Sequence, residues 1–139
     1  MISKIFVNLP VKDLDKSMAF FKAVGFSFNP QFTDKTAACM VMSDDIYAML
    51  LTHDKVKEFT EKPIADARKT TELLTALAVE NKAKVNELAD KAIKAGGTEA
   101  YAPKDYGFMF ARSFEDPDGH IWEVFWMDPA GPPADAQAP

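Results

Sequence analysis

Apolar and polar positions along the first half of the chain change from the period of a strand to that of a helix and back. Apolar and β-branched residues fill Ile5–Val11, which predicts a β-strand. Apolar side chains then recur at helical spacing over residues 12–24, which predicts a helix that ends at Gly25. Three further strands are predicted at about residues 26–32, 37–43 and 46–52. The first half therefore reads βαβββ.

The second half repeats this order. Residues 73–79 are typical of a strand, and Asn81 is a plausible N-cap for the helix that follows. The apolar stripe of this helix runs from Val85 to Ile93 and stops before Gly96-Gly97. Short strands are predicted near residues 98–102, 107–114 and 120–126. Because both halves have the same order of elements, the sequence predicts an internal duplication of one βαβββ module.

These patterns divide the chain into a first module at residues 1–53, a connector at 54–70, a second module at 71–127 and a tail at 128–139. The connector is polar and partly helical, and it is a candidate cover for a pocket. The tail is rich in Pro and Ala and has no periodic apolar face, so we expect it to be mobile.

The composition excludes several classes of function. With 139 residues, 47% of them hydrophobic and 27% charged, the chain is an ordinary globular protein. Its net charge of −5 argues against nucleic acid as a partner. No apolar run reaches the ~18–20 residues of a membrane span, and the N-terminus lacks a signal-peptide pattern. The lone Cys39 cannot form an internal disulfide. We therefore expect a cytoplasmic protein that binds neither nucleic acid nor membrane.

Two motifs carry a family resemblance. One is Val-x-Asp-Leu-x-x-Ser-x-x-Phe-Phe over residues 11–21, and the other is Asp-Pro-Asp-Gly-x-x-x-Glu over residues 116–123. Together with the duplicated module, they resemble the vicinal oxygen chelate (VOC) superfamily, which includes glyoxalase I, bleomycin resistance proteins, extradiol dioxygenases and fosfomycin resistance enzymes. Within it, the chain is similar to the bacterial predicted lactoylglutathione lyases.

The resemblance implies an α+β fold, in which two βαβββ modules form paired, open barrel-like curved sheets with helices outside and a ligand cavity inside. It also implies a homodimer. The alternation along the first strand supports a cavity independently, because the aliphatic set from Ile5 to Val11 would pack on the helix and leave Phe6 and Asn8 facing inward. By the same alternation Leu74 faces inward in the second module.

Catalytic members of the superfamily bind a divalent metal through four inward residues, typically His or Gln, Glu, His and Glu. The resemblance places these positions at Phe6, Met49, Leu74 and Glu123. Glu123 alone matches, and one carboxylate cannot hold a transition metal tightly. We therefore expect no metal and no other cofactor. A weak site would need further donors from Asn8, Tyr47 or His120.

Glu123 is the candidate catalytic residue, because a carboxylate in an apolar cavity is suited to act as a general acid or base. It is equally a candidate anchor for a cationic or hydrogen-donating ligand. The structural alternative is a carboxylate satisfied by Tyr47, Tyr106 or Arg112. The candidate ligand-binding residues are those expected to face the cavity or form its rim: Phe6, Asn8, Tyr47, Met49, Leu74, Tyr106, Phe108 and Arg112.

Three functions are compatible with this sequence. The first is a glyoxalase-like protein with a degenerate metal site that binds a small organic ligand in an apolar cavity. The second is a divalent-metal-dependent lyase or isomerase of the glyoxalase I type, which needs donors that the sequence does not provide. The third is a structural or regulatory module without catalytic activity, in which apolar side chains fill the cavity.

Overall fold

The computed structural model describes residues 1–134, and the end of the predicted tail, residues 135–139, lies outside them. The chain divides into two compact units, the first ending at Thr70 and the second beginning at Thr71. Each unit contains one four-stranded mixed sheet and a helix of three to four turns. The predicted α+β fold built from two βαβββ modules is therefore confirmed.

The first module contains strands β1 (Ile5–Val11), β2 (Ser27–Asn29), β3 (Ala37–Val41) and β4 (Ile46–Thr52), with helix α1 (Leu14–Val24) between β1 and β2. The Asp13 side chain accepts a hydrogen bond from the backbone N–H of Lys16, which caps the start of α1. Gly25 ends the helix with a φ of 120°, a conformation that favours glycine.

Strand pairing in the first sheet confirms the predicted alternation for Leu9 and Val11, whereas Ile5, also expected to pack on the helix, is 57% exposed. The strand order is β1-β4-β3-β2, with β1 and β4 parallel and the other pairs antiparallel. Leu9 and Val11 are buried, as is Leu50, which lies opposite Leu9 on β4. Phe6 lies opposite Tyr47 and is exposed. Because side chains alternate along a strand, Phe6 belongs to the face that α1 does not cover.

A short connector follows the first sheet. Its helix α2 (His53–Val56) is only one turn long, and the remaining residues form two turns joined by irregular backbone. A groove with a volume of about 490 Å³ lies along this segment, lined by His53, Lys57, Thr60, Glu61, Lys62, Pro63 and Ile64. No helix within residues 1–134 has the length and apolar character needed to cross a membrane.

The second module contains strands β5 (Thr75–Ala78), β6 (Lys104–Asp105), β7 (Met109–Glu115) and β8 (Ile121–Met127), with helix α3 (Lys82–Lys94) after β5. Asn81 caps α3 as predicted, since its side chain accepts a hydrogen bond of 2.8 Å from the backbone N–H of Lys84. The predicted strand at residues 98–102 is wrong. Thr98 forms an isolated bridge with Glu115, and the strand that pairs with β7 lies at Lys104–Asp105.

The core of the second module lies between α3 and one face of its sheet. The strand order is β5-β8-β7-β6, with β5 and β8 parallel. Phe114 and Trp122 lie opposite each other on β7 and β8, are fully buried, and stack with ring centroids 6.4 Å apart. Val85 and Ala89 of α3 are also fully buried. Glu123, next to Trp122, therefore projects from the opposite face of the sheet.

Candidate functional site

Glu123 stands between two small side chains on the sheet face that α3 does not cover. In the strand register it lies opposite Ala76 of β5 on one side and Ser113 of β7 on the other. Two residues further along β8, Phe125 lies between Ala78 and Ala111. Cross-strand partners share a face, so the half-buried carboxylate has small and apolar neighbours. We call this surface the open face of the second sheet.

A tyrosine from the segment between α3 and β6 holds Glu123. The phenol of Tyr101 donates a short hydrogen bond to Oε2 of Glu123. The backbone of Tyr101 is fixed to the sheet by Ser113, whose Oγ accepts from the Tyr101 N–H at 2.9 Å and donates to the Tyr101 carbonyl at 3.2 Å. The three residues therefore form one connected hydrogen-bonded group on β7 and β8.

The environment of Tyr101 keeps its phenol protonated. Burial raises the pKa of Tyr101 above its ordinary value, and the hydrogen bond to Glu123 and the charge of that carboxylate raise the same pKa further. At neutral pH Tyr101 therefore acts as a hydrogen-bond donor to Glu123. No other hydrogen bond in the described part of the chain reaches the Glu123 side chain, so Oε1 is free to accept one from a ligand.

Lys104 brings a cation close to this group. Lys104 lies opposite Ala111 in the register, which places it on the open face, and its ammonium sits 4.9 Å from the centroid of the Tyr101 ring. None of the ion pairs within residues 1–134 involves Glu123. The carboxylate is thus hydrogen-bonded once but has no cationic partner within ion-pair distance.

The other predicted site residues of the second module are divided between two faces. Arg112 lies opposite Val124 and points toward α3, where its guanidinium donates to Asp90 at 2.7 Å and to Asn86 at 3.1 Å. It therefore does not meet Glu123, because adjacent residues of a strand face opposite sides. Leu74 precedes β5 and is 53% exposed.

Tyr106 and Phe108 flank the turn between β6 and β7, as the predicted rim residues. Their ring centroids are 6.1 Å apart with the rings tilted by 30°, and Gly107 between them has a φ of 82°. Tyr106 is 47% exposed. The two rings therefore form a small aromatic surface at one end of the second sheet.

The predicted site residues of the first module lie on one face of its sheet. Phe6 stacks on Tyr47 with ring centroids 4.6 Å apart and an interplanar angle of 12°. Asn8 lies opposite Met49 in the same register, so both belong to the face that carries Phe6. The phenol of Tyr47 donates to the carbonyl of Asp44 at 2.6 Å. Tyr47 therefore has a hydrogen-bond partner within its own module.

The residues at the metal-ligand positions that the resemblance implies do not fit a metal. Phe6 and Leu74 offer hydrocarbon and Met49 offers a thioether, so Glu123 is the one oxygen donor of the four. Tyr101 already occupies one oxygen of that carboxylate. Transition metals need three or four nitrogen, oxygen or sulfur donors at fixed distances. This set cannot supply them.

A second group of donors lies at the turn before β8. Asp116, Asp118 and His120 each offer one ligand atom, and these atoms lie within 4.8 Å of one another. They form a possible metal-binding group. Asp116 is 97% buried, however, since its exposed fraction is 3%. Its Oδ1 accepts from the backbone N–H groups of Asp118 and His120, and its Oδ2 accepts from the Trp122 indole at 3.0 Å. The Asp116 carboxylate is thus engaged in the turn itself.

Sequence reasoning missed Tyr101 as the partner of Glu123. It considered Tyr47, Tyr106 and Arg112, none of which donates a hydrogen bond to Glu123 within residues 1–134. Tyr101 lies in the segment predicted as a strand at residues 98–102, where the structure has only an isolated bridge at Thr98, so alternation along that strand did not give the direction of its side chain. The available signal was composition alone: Tyr101 is one of only three tyrosines in the chain, in a half otherwise rich in phenylalanine and tryptophan.

Comparison with known proteins agrees with this geometry. Residues 4–43 match the family described as bleomycin resistance protein-like N-terminal. No curated protein sequence matches the chain. Among solved structures, hypothetical protein SA1046 from S. aureus is 27% identical, with a TM-score of 0.76, and the alignment covers 91% of this chain and 95% of that one.

Two further structures share the fold at lower identity. A glyoxalase-related enzyme from Fulvimarina pelagi is 21% identical, with a TM-score of 0.77 and 99% and 96% of the two chains covered. The fosfomycin resistance protein FosX from Mesorhizobium loti is 16% identical, with a TM-score of 0.66 and 94% and 97% covered. The matched N-terminal segment and the shared fold agree with the resemblance of the sequence motifs to the VOC superfamily, since solved structures of glyoxalase, bleomycin resistance and dioxygenase-like proteins have the same architecture.

Proposed function

We propose that the chain is a glyoxalase-like protein that binds a small organic ligand without a catalytic metal, and that Glu123 is the polar anchor of the ligand. The observation that supports the proposal is the combination of burial and neighbouring side chains around this carboxylate. It is half-buried, held by Tyr101 through one oxygen, and surrounded by Ala76, Ser113 and the apolar end of β8. A binding site of this kind combines an apolar surface with a few polar groups that fix the ligand.

The remaining contacts of the ligand would come from the residues predicted by sequence. In the second module these are Tyr106 and Phe108, which form the aromatic rim of its sheet. If the ligand carries an acidic proton, Glu123 is the group placed to accept it. The proposal also includes a cytoplasmic location and a homodimer, as the resemblance implies.

Metal content is the first test. Protein purified without an affinity tag is analysed for bound metal and then titrated with Ni²⁺, Zn²⁺, Mn²⁺ and Fe²⁺, with Glu123→Gln alongside. We expect no stoichiometric metal and no Glu123-dependent binding, because the four positions offer one oxygen donor. A stoichiometric metal that Glu123→Gln loses would contradict the proposal and support the metal-dependent lyase or isomerase.

Ligand binding is the second measurement. A fragment library is screened against the wild type, Glu123→Gln and the control Glu99→Gln by ligand-observed NMR. Glu99 is an exposed carboxylate outside the site, so its variant matches the loss of charge. We expect hits that weaken about tenfold or more in Glu123→Gln and are unchanged in the control. If no fragment depends on Glu123 and the variant changes only stability, the chain is a structural module and the proposal is wrong.

A further inference from the structure

The two oxygens of the Glu123 carboxylate have different surroundings, and this difference bears on the kind of ligand that the site can bind. In the metal-binding relatives that the resemblance describes, this position donates to a cation. Here one oxygen is taken by the Tyr101 phenol, and the other is open on the sheet face. The carboxylate thus presents a single acceptor atom to a ligand, in a surrounding where an uncompensated charge is costly.

We propose that this site selects a ligand with a protonated amine attached to an apolar group, and that Tyr101 is a positioning residue that orients the Glu123 carboxylate toward the ammonium. The inference rests on the proposed function, because it specifies the ligand class of the same site. An ammonium offers three donors and a positive charge to one acceptor atom, which a neutral hydroxyl does not.

The neighbouring side chains define where the apolar part of the ligand lies. Phe125 is two residues from Glu123 on the same face of β8, which corresponds to about 7 Å along the strand. Ala78 and Ala111 flank Phe125, so its two cross-strand neighbours are no larger than a methyl group. An amine two carbons from an aromatic ring is therefore long enough to reach from the carboxylate to Phe125.

The charged and titratable groups near the Glu123 carboxylate do not reverse its preference for a protonated amine. Tyr101 remains a neutral donor, and Tyr106 belongs to the aromatic rim. Lys104 lies close to Tyr101, but it is exposed to solvent, which screens its charge. Its ammonium over the Tyr101 ring shows that the open face accommodates a cation beside this group.

The test compares three probes that differ only in their polar end: 2-phenylethylamine, 2-phenylethanol and phenylacetate. Their affinities are measured by chemical-shift titration of isotope-labelled protein at neutral pH, where an alkylamine is protonated. We expect the amine to bind at least tenfold tighter than the alcohol, and the anion to bind most weakly. Backbone shifts should be centred on residues 76–78, 101 and 123–125.

Variants separate the carboxylate from its positioning residue. Glu123→Gln keeps the shape of the side chain and should lower the amine affinity to that of the alcohol. Tyr101→Phe removes only the phenol oxygen and should reduce the ratio of amine to alcohol affinity about threefold to tenfold. The control Thr98→Val removes a hydroxyl that donates to Glu115, away from the residues proposed to bind ligand, and should leave that ratio unchanged. Thermal unfolding of each variant shows whether it is folded, and a purely structural role of Tyr101 would change the midpoint but not the ratio.

The outcomes distinguish this inference from the proposed function. Equal affinities of the amine and the alcohol, tighter binding of phenylacetate, or amine binding that survives Glu123→Gln would each overturn the amine preference. Glu123-dependent hits among neutral fragments would then still support the proposed function. Absence of binding by all three probes would also overturn the inference, while the fragment screen decides the proposed function independently.

Discussion

Two carboxylates seven residues apart show how environment assigns different roles to the same chemical group. Asp116 is 3% exposed and accepts hydrogen bonds from two backbone N–H groups and the Trp122 indole. Glu123 is half-buried and accepts one, from Tyr101. A buried carboxylate with three donors stabilises its own turn, whereas a half-buried carboxylate with one donor retains capacity for a ligand.

The stability of the turn before β8 should depend on Asp116. Replacing it with alanine leaves the indole N–H of the fully buried Trp122 and two backbone N–H groups without their acceptor. Unsatisfied buried donors cost about 1–3 kcal/mol each, and water can reach the backbone groups, so we expect a loss of roughly 2–4 kcal/mol in the free energy of unfolding. Urea unfolding followed by tryptophan fluorescence measures this loss.

The matched control is Asp118→Ala in the same turn. Asp118 is less buried than Asp116 and does not accept the Trp122 hydrogen bond. We expect Asp118→Ala to lower the free energy of unfolding by less than half as much as Asp116→Ala. Equal destabilisation by the two variants would show that the turn sequence as a whole, rather than the Asp116 carboxylate, supports β8.

Predictions from the sequence succeeded where periodicity applies and failed where it does not. The alternation along Ile5–Val11 correctly separated the buried Leu9 and Val11 from the exposed Phe6. The partner of Glu123 was missed because it lies in an irregular segment held by the Ser113 hydroxyl, a contact that depends on tertiary structure. The direction of Arg112 required the register of β7 against β8, which the sequence alone does not fix.

At the scale of elements, Arg112 joins the second sheet to its helix. Its side chain is 16% exposed, and its guanidinium donates to Asn86 and Asp90 on successive turns of α3. Its Nε is buried and has no hydrogen-bond partner among the described residues. The interaction therefore fixes α3 on β7 but leaves one donor unsatisfied, which limits the net stabilisation.

Replacing Arg112 with methionine should weaken this packing without affecting ligand binding. The variant keeps the apolar stem and loses both hydrogen bonds, while Asp90, which is 70% exposed, returns to solvent. We expect the free energy of unfolding to fall by about 1 kcal/mol, because exposed ion pairs contribute little. The affinity for 2-phenylethylamine should not change. Lys94→Met, on the exposed surface of α3, is the control for loss of positive charge.

A different result for Arg112→Met would revise its assignment. If amine or phenylacetate affinity changed by more than threefold while stability did not, Arg112 would belong to the ligand site, as the sequence first suggested.

The position of β6 also depends on strand pairing that the sequence alone does not fix. Residues 98–102 carry a strand-like composition, yet Lys104–Asp105 form the strand, because the hydrogen bonds of Tyr101 are directed to Ser113.

At the scale of the whole molecule, the duplication is exact in topology but not in chemistry. Both sheets have a parallel pair at one edge and place the last strand of the module second in order. The equivalent positions on these last strands hold Met49 in one module and Glu123 in the other. The order of elements was therefore predictable from the repeat, whereas the difference in function depends on single positions within it.

Each module also leaves an apolar edge, from which we predict a homodimer. β1 and β5 are the edge strands of their sheets, and the side chains at or beside them include Ile5, 57% exposed, and Leu73, 46% exposed. Exposed apolar residues on an edge strand favour association with another chain. We expect sedimentation at about twice the chain mass of 15.4 kDa.

Substitutions at these edges test the homodimer without changing the residues proposed to bind ligand. Ile5→Lys and Leu73→Lys should each shift the protein toward the monomer in analytical ultracentrifugation, because a lysine in an apolar interface must be desolvated. Phe59→Lys is the matched control, since Phe59 is 72% exposed but lies in the connector. A monomeric wild type would contradict the prediction. Dissociation by Phe59→Lys alone would place the interface on the connector instead, so the edge strands would then need another explanation for their exposed apolar residues.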